Sequence, residues 1–298
     1  MRSSADAFGR NHAADAVAYE IGILSTTIST AIVIPHGRDV TLRTRRSQAL
    51  KVNGSAQRAG RKMMGSVADS SPRLTARLAG AFQLAEALAF TFGYVFILGN
   101  DLTVSGDAAA TAANILGQER LFWLGFVLTI LAVVFHVAWA LLMYELLKPV
   151  NRSLSRFSAF IMLIGCAIQA VMCVLYLAPL PLLYGGSVFS AFTPGQLQAL
   201  AYMFLKLNAY AFDVYLVFFG LWCILTGYLI FKSTFLPRVI GVLLMISGLG
   251  WVIHLLPPIA ARLFPVIAGA SALGEIPLEF WLIVMAVNAQ RWKEQASR

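Results

Sequence analysis

LFWLGFVLTILAVVFHVAWALLMYELL, residues 121–147, decides the fold. It holds one imidazole, His136, and one carboxylate, Glu145, and neither Lys nor Arg. A helix crosses the roughly 30 Å hydrocarbon core with about 20 apolar residues at a rise of about 1.5 Å each. Lipid offers no partner to a bare peptide group, so such a stretch must satisfy its backbone internally, as a helix does. Five more stretches read the same way, at 79–99, 155–178, 209–231, 238–256 and 263–287. The predicted fold is therefore all-α, a polytopic transmembrane bundle of six spans occupying residues 73–288. Composition agrees: 59% of the chain is hydrophobic and 12% charged, against about 45–50% and about 25% in soluble domains.

The net charge of +9 would suit a nucleic-acid partner, but its placement does not. Twelve of the 23 Lys and Arg precede the first span, in residues 1–78. Basic flanks of this kind set orientation and meet anionic lipid. The expected partner is the lipid bilayer, with no role for nucleic acid. Lys148, Arg152 and Arg156, then Lys232 and Arg238, then Arg291, Lys293 and Arg298 mark one side of the membrane. The opposite side carries Arg120, Lys206 and Arg262, one per connection. An even number of spans places both termini on the positive side, which predicts a multi-pass protein of a bacterial inner membrane with cytoplasmic N- and C-termini. Cys166, Cys173 and Cys223 lie inside spans without CxxC or zinc spacing, and read as small buried hydrophobes.

Two outer connections read as helices. Asp107 is a candidate cap for an Ala-rich helix near 107–118. At 194–207, Thr193, Pro194 and Gln196 form a capping box and open an interfacial helix leading into span four. Unbroken to residue 231, this helix would be about 57 Å long, so it is expected to bend near Asn208 or to project beyond the bilayer. Residues 1–72 read as a basic, mostly disordered tail, and 289–298 as a short basic tail. Residues 1–62 suggest a mis-assigned start, with Met63 or Met64 as the true first residue.

RLAG (77–80), GDAAATAANI (106–115), KPVNR (148–152), FTPGQLQAL (192–200), VFFGL (217–221), GYL (227–229), FLPR (235–238) and GE (274–275) occur in this order. On these pieces the chain resembles the bacterial membrane proteins grouped as domain of unknown function 4386. The resemblance covers roughly residues 73–288 and implies a six- or seven-helix bundle, with no activity attached. It also implies altered chemistry at Asn208 and Trp222, where members often carry His.

Ionisable groups inside spans face the bundle interior or water. Converting position into depth puts Glu86 about 10 Å, Glu279 about 12 Å, His136 about 16 Å, Glu275 about 18 Å and Gln169 about 21 Å from the positive side. These five are expected to form one mid-membrane polar layer. Glu275 leads, because Pro277 frees a carbonyl beside it and Glu279 lies one helical turn away on the same face. Two carboxyls in low dielectric resist joint ionisation, and His136 is expected to exchange a proton with them. Asp213 and His254, in the outer leaflet of adjacent antiparallel spans, form a second candidate pair. Ala81, Ala85, Ala89 and Gly93 on span one, and Ala270 and Gly274 on span six, are expected as packing stripes. The Trp residues read mostly as interfacial anchors.

Two readings follow. In the first, the bundle binds or moves a proton or a small lipophilic ligand through the polar layer. In the second, it is a structural or accessory membrane protein whose polar residues fasten helices. An enzyme would need a nucleophile or metal ligands converging on one point, and Glu86, His136, Glu275 and Glu279 with their single His offer little for metal. No cofactor or hydrolase motif is present. Oligomeric state is not encoded in these features.

Overall fold

The computed structural model describes residues 71–298. The expected disorder and late start of the N-terminal tail lie outside the described residues. Among the described residues, six helices are long and apolar enough to cross a membrane. The first comprises α1 (Pro72–Phe90) and a wider π-helical continuation to Leu102, which ends as the Thr103 amide donates to Leu98 O, five residues back. A short outer helix, α2 (Ala108–Gly117), is capped by Asp107, whose carboxylate accepts from the Ala110 amide at 2.9 Å. Then come α3 (Glu119–Leu147) and α4 (Arg152–Leu177), followed by the one-and-a-half-turn α5 (Pro179–Tyr184). Gly185 and Gly186 turn the chain with φ of 70° and 114°, a region that L side chains rarely adopt. Next are α6 (Pro194–Lys232), α7 (Arg238–Val252), α8 (Pro257–Phe280, with a π-turn continuation to Met285) and α9 (Ala289–Ala296). There is no strand among the described residues.

The long helices close into a ring. Each packs on the next, in the order α1, α3, α4, α6, α7, α8, and α8 with its π-turn returns to α1. α6 is the most enclosed: 61% of its most apolar window is buried, against 28–39% in the other spans. It also packs against α2 and α5 at one end and touches α3 across the ring. Fully buried Trp139, Met143, Met162 and Trp222 fill the interior, with the Trp139 and Trp222 rings 4.5 Å apart. The outward faces stay apolar, as with Val174 and Val239, each 68% exposed. A surface of that kind belongs in lipid.

The expected capping box at Thr193 forms: its amide donates to Gln196 Oε1 at 2.8 Å while the Gln196 amide donates to Thr193 Oγ1 at 3.4 Å. Thr193→Ala is expected to cost about 1 kcal/mol, seen as a lower unfolding midpoint in detergent. The helix then runs without interruption through Asn208 for 39 residues, about 58 Å. The 194–207 segment is thus the first third of a span-four helix that projects, rather than a separate element joined at a bend. Asn208 is buried in α6, and its carboxamide donates to Met172 O of α4 at 2.7 Å. Of the two expected outcomes, a bend near Asn208 or projection, the helix takes the second, and Asn208 fastens α6 to α4.

The two small-residue stripes pack on different neighbours. Ala81 is exposed, and Gly93 meets Gly125 and Leu128 of α3. Gly274 meets Leu243 and Ser247 of α7. The seam between α1 and α8 instead uses Gly80, which sits against Leu282 and Ile283. The closest helix pair is α6–α7, where Gly220 faces Gly248 and Gly227 faces Gly241. Each of these two glycine pairs stands seven residues from the other on its own helix, so both lie on one stripe.

Candidate functional site

Side chains from four helices build a polar interior. On α3, His136 is wholly buried, its ring edge-on to Tyr215 and Phe219 and 5.1 Å from that of Trp139. Its Nδ1 lies 3.2 Å from Glu86 Oε1 of α1, at ion-pair distance but off the line of an aligned hydrogen bond. The Glu86 side chain is 13% exposed. The buried imidazole thus lies beside Glu86 and is packed among aromatic rings.

Glu275 sits elsewhere in the ring. Its Oε1 accepts from Ser247 Oγ at 2.6 Å and from Trp251 Nε1 at 2.7 Å, both on α7. It spans the α7–α8 contact directly beside Gly274, where the backbones come close. Glu279, one turn on, is buried with Oε1 unpaired. The direct partner of His136 is Glu86, whereas the expected exchange partners were the span-six carboxyls.

Gln169 on α4 is 2% exposed, and neither amide atom has a hydrogen-bond partner. Three further orphans escaped the sequence reading: Gln83 Oε1, Trp139 Nε1 and Ser271 Oγ are buried without partners. Gln83 was findable, since it lies three residues before Glu86 on the same helical face. Trp139 is an exception to the expectation that most Trp residues are interfacial anchors: it is 1% exposed in the ring interior, where α3 turns it toward Trp222.

Asp213 and His254 come together, Nδ1 to Oδ1 at 2.9 Å, joining α6 to the turn after α7. They line an apolar, outward-opening pocket of about 450 Å³ with Tyr210, Val217, Phe218 and Leu255. Glu145, at the edge of α3, pairs with Lys148. Other interhelical bonds are purely fastening in geometry: Ser158 Oγ to Thr226 Oγ1 at 3.0 Å, and Tyr176 OH to Phe122 O at 3.2 Å. Among the described residues, no three of His, Cys, Asp and Glu are grouped closely enough to hold a metal ion.

Six apolar helices around a buried polar interior define a multi-pass α-helical membrane protein. The chain belongs to the family described as domain of unknown function (DUF4386), whose model matches residues 78–286. An uncharacterised protein of Archaeoglobus fulgidus is 26% identical over 155 residues, 52% of this chain and 78% of that protein. No solved structure matches the chain.

Proposed function

We propose that Glu86, His136, Gln169, Glu275 and Glu279 form a mid-membrane site that takes up a proton or the polar end of a small lipophilic molecule. The observation that carries this reading is the set of buried polar atoms without partners at Gln83, His136 and Trp139, one turn from or against the Glu86–His136 pair. Each such atom costs about 1–3 kcal/mol when it is left without a partner. Several of them in one interior are best explained by water, a proton or a ligand that satisfies them. Glu86 and His136 supply the acid–base pair, and Glu275 and Glu279 a second pair of carboxyls one helical turn apart.

A second reading rests on Glu275 itself, whose two bonds to α7 are what a helix fastener makes. Infrared difference spectra of the protein in lipid discs, taken across the neutral pH range, separate the two. The proton reading expects a pH-dependent carboxyl band that is lost in one of the variants Glu86→Gln, Glu275→Gln or Glu279→Gln while the helix content stays constant. If no carboxyl band titrates, and Glu86→Gln and Glu275→Gln change only the unfolding midpoint, the fastening reading replaces it.

The skewed Lys and Arg distribution supports an inner-membrane protein with both termini cytoplasmic. A reporter that is active only in the cytoplasm, fused after Arg298, is expected to be active. An inactive fusion would reverse the orientation.

A further inference from the structure

The end of the bundle that carries the α6–α7 turn is built differently from the lipid-facing walls. There α8 stops at Ala286, whose φ of 56° turns the chain sharply, and α9 folds beneath the helix ends. Trp292 Nε1 donates to Leu146 O at 2.8 Å, fixing α9 against α3. The Thr234 amide and hydroxyl both donate to Gln295 Oε1, at 2.9 and 3.0 Å. Arg291 Nη1 in turn donates to Thr234 O at 3.4 Å, so its guanidinium is held toward the α6–α7 turn.

Between α9, that turn and the start of α1 lies a cleft of about 450 Å³. Arg73 and Arg291 line it, with Thr234 and Asn288 as neutral polar groups and Trp281 and Met285 as apolar ones, and no carboxylate lines it. An adjoining cleft of about 470 Å³ shares Arg291 and adds Arg238. Its one carboxylate close to α9, Glu294, accepts from Gln290 at 3.0 Å. Among the described residues, none of these arginines is in an ion pair.

We infer that this cleft binds a phosphate group, presented by an anionic phospholipid headgroup at the membrane surface. Two guanidinium groups facing one space without a counter-charge repel each other, and an anion between them removes that repulsion. The planar fork of Arg matches phosphate oxygens two at a time. Basic clefts between membrane helices at the headgroup level hold anionic lipids, and Trp281 and Met285 give the first acyl carbons an apolar wall. The volume suits a glycerophosphate group, being within the range of about 300–1,000 Å³ typical of small-molecule sites. Free phosphate shares the recognition chemistry, so the test must separate the two sources.

The full chain, purified in mild detergent, is mixed with equal amounts of phosphatidylglycerol and phosphatidylcholine, and retained lipid is counted by native mass spectrometry. The expected result is roughly tenfold more phosphatidylglycerol retained, with the preference lost in Arg73→Gln/Arg291→Gln. Arg120→Gln/Arg262→Gln, which removes the same two charges at distant connections, is expected to keep it. Met285→Trp, which fills the cleft and leaves both guanidinium groups, is the second variant and is also expected to lose it. Equal retention of the two lipids, or an unchanged preference in Arg73→Gln/Arg291→Gln and Met285→Trp, overturns the proposal. Displacement of the bound lipid by an equal concentration of inorganic phosphate overturns the lipid source.

Discussion

Gly248→Leu is expected to remove the folded bundle, with a loss of about 3 kcal/mol or more. A Cβ at this position would stand 2.5 Å from Gly220 O, 2.8 Å from Ile224 and 2.9 Å from Cys223. The first of these atoms is backbone in the middle of α6 and cannot swing aside. Overpacking of a tight core ordinarily costs about 1–3 kcal/mol, and more when the obstacle is rigid. The gain in helix propensity from replacing Gly, about 1 kcal/mol, does not offset this. Gly269→Leu on α8 is the matched control, because no atom lies within 4 Å of a Cβ there. Size-exclusion profiles and unfolding midpoints in detergent check both. A monodisperse Gly248→Leu protein with a near-native midpoint would mean that α6 and α7 do not touch through this stripe.

His136→Leu is expected to cost about 2 kcal/mol, because it leaves the Glu86 carboxyl without its neighbour in an interior where an unpartnered polar group is destabilising. Leu fills most of the imidazole volume, so the loss reports the unpaired carboxyl rather than a cavity. Replacing both, as Glu86→Leu/His136→Leu, is expected to recover most of that loss. The double-mutant cycle therefore has a large coupling energy. Additive single effects would mean that the 3.2 Å approach of these side chains carries no energy. Read with the infrared titration, the cycle distinguishes a pair that exchanges a proton from one that merely fastens α1 to α3.

The hydropathy of the sequence was enough to locate all six spans, since the lipid requirement acts on each helix alone. Helix ends were less legible. The π-helical continuation to Leu102 and the unbroken α6 depend on contacts with other helices rather than on local pattern. Of the polar residues, depth along each span was readable, but rotation about each helix axis was not. That is why Glu86, His136 and Glu275 were expected in one layer without Glu86 being singled out as the residue beside His136. His136 faces α1 because α1 and α3 are ring neighbours, and Glu275 faces Ser247 because Gly274 draws α8 onto α7. The Gly220–Gly248 and Gly227–Gly241 contacts were missed for the same reason. A seven-residue repeat of single glycines becomes meaningful only once two helices are known to share it.

The order of the ring carries a consequence for biogenesis. From α3 onward each long helix finds a wall against the long helix synthesised just before it. The growing chain can therefore zip up span by span as it leaves the insertion machinery, with little loop entropy to overcome at each step. The one long-helix contact along the ring that must wait for the whole chain is α8 against α1, where Gly80 meets Leu282 and Ile283. Until that seam shuts, α1 and the π-turn end of α8 each keep one unpartnered face, with Gly80 on one side and Leu282 and Ile283 on the other left to lipid.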